Sequence, residues 1–132
     1  MVPIIVPVYA SILALIFVFL SVRVIMMRAS AKVAIGHGGN PSLERRMRVQ
    51  ANFAEYVPLA LILLTFLEMQ SHSRYLIHIL ALVLVFARIF HAYTVSQEPE
   101  NLQLRGIGVL ATFGVLVIAA VVLLLNGLRA IG

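Results

Sequence analysis

The chain contains no cysteine, so it forms no disulfide, offers no thiol nucleophile and says nothing about redox compartment. Charge is scarce as well: charged residues make up 11% of the sequence, with five acidic against ten basic side chains. A soluble domain of 132 residues cannot cover itself with so little polarity. No histidine or carboxylate has metal-ligand spacing, which leaves no basis for a metal site. Repeats, low-complexity tracts and a second domain are also missing. The excess of +5 has no soluble element on which to present a basic face, so nucleic acid is not an expected partner.

What fills the chain is apolar sequence. Hydrophobic residues reach 62% and the mean hydropathy is +1.05, concentrated in residues 4–22, 53–67, 75–87 and 106–128. Each segment spans the roughly 30 Å of hydrocarbon if the second and third are extended by polar residues that do not face lipid. The expected fold is therefore all-α: one integral membrane four-helix bundle over residues 1–132, with helices at about 4–32, 41–70, 74–95 and 104–129. The first segment does not read as a cleaved signal, because no basic region precedes it and its apolar run exceeds the usual ~7 to 15 residues. Residues 35–41 form a turn cluster in which Asn40 is placed to cap the second helix and Pro41 to occupy its first position. Pro58 is expected to bend that helix and free a carbonyl. Arg23, Arg28, Lys32, Arg45, Arg46 and Arg48 surround the first connection, whereas Arg74 alone marks the second. The positive-inside bias then puts the first and third connections in the cytoplasm and both termini outside. Arg23, Arg28 and Lys32 read as interfacial anchors and topology signals.

Polar side chains enter the apolar segments at two places. If residues 44–58 are helical, Arg45, Arg48, Asn52, Glu55 and Tyr56 fall within about a third of the circumference. That stripe suits a small zwitterionic or anionic molecule at the membrane edge. On the third helix Arg88 lies at the same depth as Glu55, roughly 20 Å from the outer end, with His91 one turn further along and Arg105 opening the fourth helix on that side. Isolated charges in lipid cost at least ~2.5 to 3.5 kcal/mol each, so these groups must face protein, water or a ligand. Two roles stay open for Glu55 and Arg88: an ion pair that holds the bundle together, or a ligand site. His78 is expected to make a polar contact between helices, and His37 to be solvated in its glycine-rich loop.

Glu44-Arg45, Arg48, Asn52, Glu55-Tyr56 and Pro58 resemble the second-helix signature of the membrane-associated proteins in eicosanoid and glutathione metabolism, the MAPEG family. Arg88-Ile89-Phe90-His91 resembles the third-helix pattern of its glutathione transferase and prostaglandin synthase branch. The resemblance implies a homotrimer in a bacterial inner membrane, with glutathione as co-substrate held between subunits near the cytoplasmic face. It also implies that Arg48, Asn52, Glu55 and Tyr56, together with Arg88 and His91, bind the tripeptide, and that Arg105 is the catalytic thiol activator. The implied activity is conjugation of glutathione to a hydrophobic electrophile delivered through membrane lipid, with reduction of lipid hydroperoxides as a related reaction. The pattern departs at Val95, where those enzymes commonly carry a tyrosine; Tyr93, the nearest phenol, lies some 200° around the helix from His91. That departure argues against the specialised eicosanoid activities. Two other readings are a noncatalytic lipid-binding or scaffold protein and a small multidrug exporter, the latter disfavoured because the arginines around Glu55 would repel a cationic drug.

Overall fold

The computed structural model describes residues 2–70 and 73–132. They form four helices and, among the described residues, no strand: α1 (Ile5–Ala31), α2 (Pro41–Met69), α3 (Arg74–Val95) and α4 (Leu102–Ile131). Each has the length and hydropathy to cross a bilayer. The α1–α2 and α3–α4 connections share one end of the bundle, here the loop end; both termini lie at the other.

Local chemistry sets the boundaries. At α2, Asn40 Oδ1 accepts from the Leu43 amide at 3.0 Å, and Pro41 takes the first turn, where its missing N–H costs nothing. At α4, Asn101 Oδ1 accepts from the Gln103 and Leu104 amides, so the helix begins at Leu102, two residues ahead of the sequence-based boundary. Lys32 closes α1 in the left-handed region at φ 55°, with the Val33 amide reaching back to the Arg28 carbonyl. Pro58 stands inside α2, which continues through it to Met69.

The start of α1 has no cap of its own. Glu68, buried near the far end of α2, supplies one: its Oε1 accepts from the Ile4 and Ile5 amides at 2.6 Å and its Oε2 from Val6 at 2.8 Å. Three orphan donors and the positive end of the helix dipole thus meet one carboxylate. This clasp holds the two chain-distant helix ends together. Close by, Tyr9 Oη meets His78 Nδ1 at 2.9 Å, the interhelical contact expected of His78.

Around the bundle α1 touches α2 and α3, α4 touches α2 and α3, and α2 meets α3 across the middle, while α1 and α4 make no mutual contact. Leu13, Phe53, Ala60, Leu64, Leu84, Val115 and Ala119 fill the core. Outside it, Leu15, Phe19, Phe66, Phe86, Leu110 and Leu124 stand more than half exposed. On a soluble protein so much apolar surface would be an association hazard; in a membrane it meets acyl chains. Lipid is as apolar as leucine, so close packing and polar contacts rather than the hydrophobic effect must specify how the helices pair. Gly108 shows such packing: a Cβ there would lie 2.8 Å from His91 Cβ and 3.1 Å from the Ala87 carbonyl oxygen. Its bare backbone lets α4 press against α3 at the level where the polar residues gather.

Candidate functional site

Arg88, in the lower half of α3, is 1% exposed. Its Nη2 donates to Asn52 Oδ1 of α2 at 2.6 Å and meets His91 Nδ1 at 3.0 Å, while Nη1 donates to Thr112 Oγ1 of α4 at 3.3 Å. The Thr112 hydroxyl donates in turn to the Gly108 carbonyl at 2.9 Å, and the Phe53 ring centroid lies 5.9 Å from the guanidinium carbon. Three helices are thereby joined through one cation. Arginine can only donate, so His91 Nδ1 is the acceptor and the imidazole is neutral with its proton on Nε2. That Nε2 and Arg88 Nε are both buried without a hydrogen-bond partner. The network therefore holds a cation with no counter-charge and two unused donors, which an acceptor or an anion would satisfy.

Closer to the loop end a second tier lines an open cleft of about 250 Å³. Glu44, Arg45, Arg48, Val95, Glu100 and Arg105 form its walls. Glu100 bridges two of them, with Oε2 3.0 Å from Arg45 Nη1 and Oε1 2.9 Å from Arg105 Nη1; Glu98 adds a contact to Arg45 Nε at 3.2 Å. Burial alone would raise the Glu100 carboxyl, but the hydrogen bonds from Arg105 and Arg45 hold it below its ordinary value. The cleft still carries three guanidiniums against two carboxylates among its lining residues. Its balance favours an anion.

The expected stripe on α2 is divided by the bundle. Asn52 turns inward to Arg88, and Arg45 turns to the α3–α4 loop. Arg48 and Glu55 are exposed on the outward face, and Tyr56 is half-buried with its ring edge-on to Phe113 of α4 at 5.2 Å. The pairing of Glu55 with Arg88, one of the two roles left open by the sequence, is overturned: Arg88 is committed to Asn52, His91 and Thr112, and Glu55 makes no ion pair among the described residues. Glu100, which reads from sequence as part of a plain connecting loop, neutralises Arg45 and Arg105 together. The signal that could have revealed it is an acid five residues ahead of Arg105 across a capped helix start. Thr112, one turn beyond Gly108, was likewise readable only as a small polar step in an apolar helix.

The remaining candidates sit apart. Tyr93 is 63% exposed on the outer face of α3, so it does not enter either polar tier. Val95 is buried and supplies an apolar wall to the cleft. His37 is exposed in the α1–α2 loop, its Nδ1 accepting from the Gly39 amide. No group of three or more metal-ligating side chains occurs among the described residues.

Comparison with known proteins gives the same direction as the geometry. The MAPEG family profile matches residues 6–125. Inner membrane protein YecN of Escherichia coli strain K12 is 35% identical over 85 residues, a match covering 64% of this chain and 65% of that protein. The protein of the same name in Escherichia coli O6:H1 strain CFT073 matches to the same extent. The chain thus spans about two thirds of the curated relatives' length. With a family match over nearly the whole chain, four membrane-length helices and the polar tiers at their loop end, this protein is a member of the MAPEG family.

Proposed function

We propose that the protein is a membrane-bound glutathione transferase that conjugates glutathione to hydrophobic electrophiles, assembled as a homotrimer with the tripeptide held between copies at the cytoplasmic side. The observation that carries this reading is the position of Glu55. It is a carboxylate at membrane depth, exposed on the outward face of α2 and without an ion-pair partner among the described residues. A charge facing lipid is expensive, whereas one facing a second copy and a bound ammonium is not. Arg48 shares that face, so the two offer opposite charges to a zwitterion.

Glutathione brings two carboxylates, an ammonium and a thiol. Arg48, a guanidinium of the cleft, suits a carboxylate through bidentate donation, and Glu55 suits the ammonium. The unused donors of Arg88 and His91 lie one tier deeper, next to the same stripe. A cation near the sulfur would favour thiolate, the nucleophilic form, and Arg105 is the candidate for that role. Attack on an apolar electrophile then forms a carbon–sulfur bond with loss of the electrophile's leaving group.

One observation supports the noncatalytic alternative. Arg105 is bonded to Glu100 at 2.9 Å, so part of its charge is committed before any thiol arrives. Conjugation of chlorodinitrobenzene measured against pH separates the readings. Arg105→Ala should keep glutathione affinity but shift the rising limb of the rate to higher pH, since each pKa unit of the thiol is worth about 1.4 kcal/mol. A wild type that binds glutathione without forming thiolate or product would leave the noncatalytic reading standing.

A further inference from the structure

Between α1 and α3 lies an apolar groove of about 340 Å³ lined by Ile16, Phe19, Leu20, Ile89 and Ala92, with Arg23, Tyr93 and Ser96 at its loop end. A longer groove of about 710 Å³ runs between α3 and α4, walled by residues such as Leu82, Phe86, Phe90 and Ile107. The two grooves share Ile89 and Tyr93. They therefore form a fork of two apolar channels that meet beside one polar rim.

The rim is cationic and unneutralised. Arg23 Nη1 donates to Ser96 Oγ at 3.2 Å, and its guanidinium carbon lies 6.0 Å from the Phe19 ring centroid. Arg46 Nη1 donates to the Arg23 carbonyl at 3.1 Å, which brings the two positive charges close enough to repel. Neither arginine has an ion pair among the described residues, because Glu98 and Glu100 are taken by Arg45 and Arg105. Arg28, the next cation along α1, is spent differently, on the Ala34 and Gly36 carbonyls of the α1–α2 loop. Arg23 lines the rim, and Arg46 adjoins it from α2 through the Arg23 backbone, each with one side-chain hydrogen bond.

We propose that this rim and fork bind one anionic phospholipid, its phosphate on Arg23 and Arg46 and its two acyl chains in the grooves that meet at Ile89 and Tyr93. Charge complementarity selects the headgroup: paired guanidiniums match a phosphate oxygen pair, and a zwitterionic choline headgroup would bring its ammonium against them. The grooves select a lipid over a free phosphate, since together they offer apolar walls for two chains. The phosphate contacts are separate from the transferase reading, because Arg23 and Arg46 are not among the residues assigned to glutathione. Arg23 then does more than anchor α1 at the interface. It specifies which lipid sits against α3, the helix that carries Arg88 and His91.

Native mass spectrometry of the detergent-solubilised protein tests this with phosphatidylglycerol and phosphatidylcholine of equal chain length. The wild type should retain phosphatidylglycerol with a preference of roughly tenfold or more, as expected for two basic groups near an anionic headgroup. The double variant Arg23→Gln with Arg46→Gln, which keeps donors for Ser96 and the Arg23 carbonyl, should bind both lipids alike. Ala92→Leu, which narrows the α1–α3 groove but leaves both charges, should weaken phosphatidylglycerol retention and decides the matter if the double variant fails to fold. Equal retention of the two lipids by the wild type, undiminished retention by a folded double variant, or displacement of phosphatidylglycerol by millimolar inorganic phosphate would each overturn the proposal.

Discussion

Arg88 of α3 donates a 2.6 Å hydrogen bond to Oδ1 of Asn52 of α2, and through it a buried cation is held without a counter-ion. The amide is the shortest of its three contacts, so removing it should hurt most. Asn52→Ala is expected to lower stability by about 1–3 kcal/mol, the cost of leaving a buried charged donor unsatisfied rather than the smaller net worth of a membrane hydrogen bond. Thermal unfolding in detergent, followed by helicity, would register the loss. An unchanged midpoint would mean that water or another group takes the place of Asn52.

Gly108 is where α4 touches the backbone of α3 at His91. Adding a methyl places it 2.8 Å from His91 Cβ and 3.1 Å from its Cα, and neither atom can swing away as a flexible side-chain tip could. Gly108→Ala should force the helices apart at a cost of roughly 1–3 kcal/mol and weaken glutathione binding through displacement of His91. Gly114→Ala, where nothing lies within 4 Å, is the control: it should leave glutathione affinity unchanged and raise stability by up to about 1 kcal/mol through helix propensity alone. Calorimetric affinities for the two variants would separate local packing from a general effect of alanine on the helix.

Glu100 ties pH to the state of the loop end. Hydrogen bonds from Arg105 and Arg45 hold its folded pKa below the ordinary carboxylate value, so its contribution to stability is present above the unfolded carboxylate range and is lost as pH falls through the lower, folded value. Glu100→Gln should therefore reduce stability at neutral pH and flatten the acid limb of the stability profile below the unfolded carboxylate range. The same change releases Arg105 from its 2.9 Å partner. If Arg105 activates the thiol, the variant should form thiolate at lower pH than the wild type, a shift that a purely structural Glu100 would not produce.

Much of the fold was legible because its signals are long or local. Four apolar runs fix the number of helices by length alone, and Asn40-Pro41 marks the start of α2 through capping chemistry that needs no tertiary information. The site was legible as a list but not as an arrangement. Helical spacing put Arg48, Asn52, Glu55 and Tyr56 on one stripe, yet Asn52 is buried and bonded to Arg88, while Glu55, about 60° around the helix from it, is exposed and faces out. The wheel gives these relative angles, but not which side of the stripe the neighbouring helices cover. The contacts of Glu68 with the start of α1 and of Glu100 with Arg45 and Arg105 join residues 64 and 55 positions apart at their widest, so no local pattern announces them. Pairing between distant helix ends is decided by packing, which periodicity does not encode.

Titration of the purified protein with glutathione, monitored by thiolate absorbance and calorimetry in the wild type and in Glu55→Gln, bears most directly on the assignment of the outward face of α2 as the glutathione site. Glu55 is exposed and carries no ion pair among the described residues, so its neutralisation should leave helicity and assembly intact. The wild type should bind glutathione and develop thiolate absorbance. Glu55→Gln should bind it more weakly by roughly tenfold or more, the loss of one charge-assisted contact to the ammonium. Equal affinity in the two proteins, or no binding by either, would contradict the assignment.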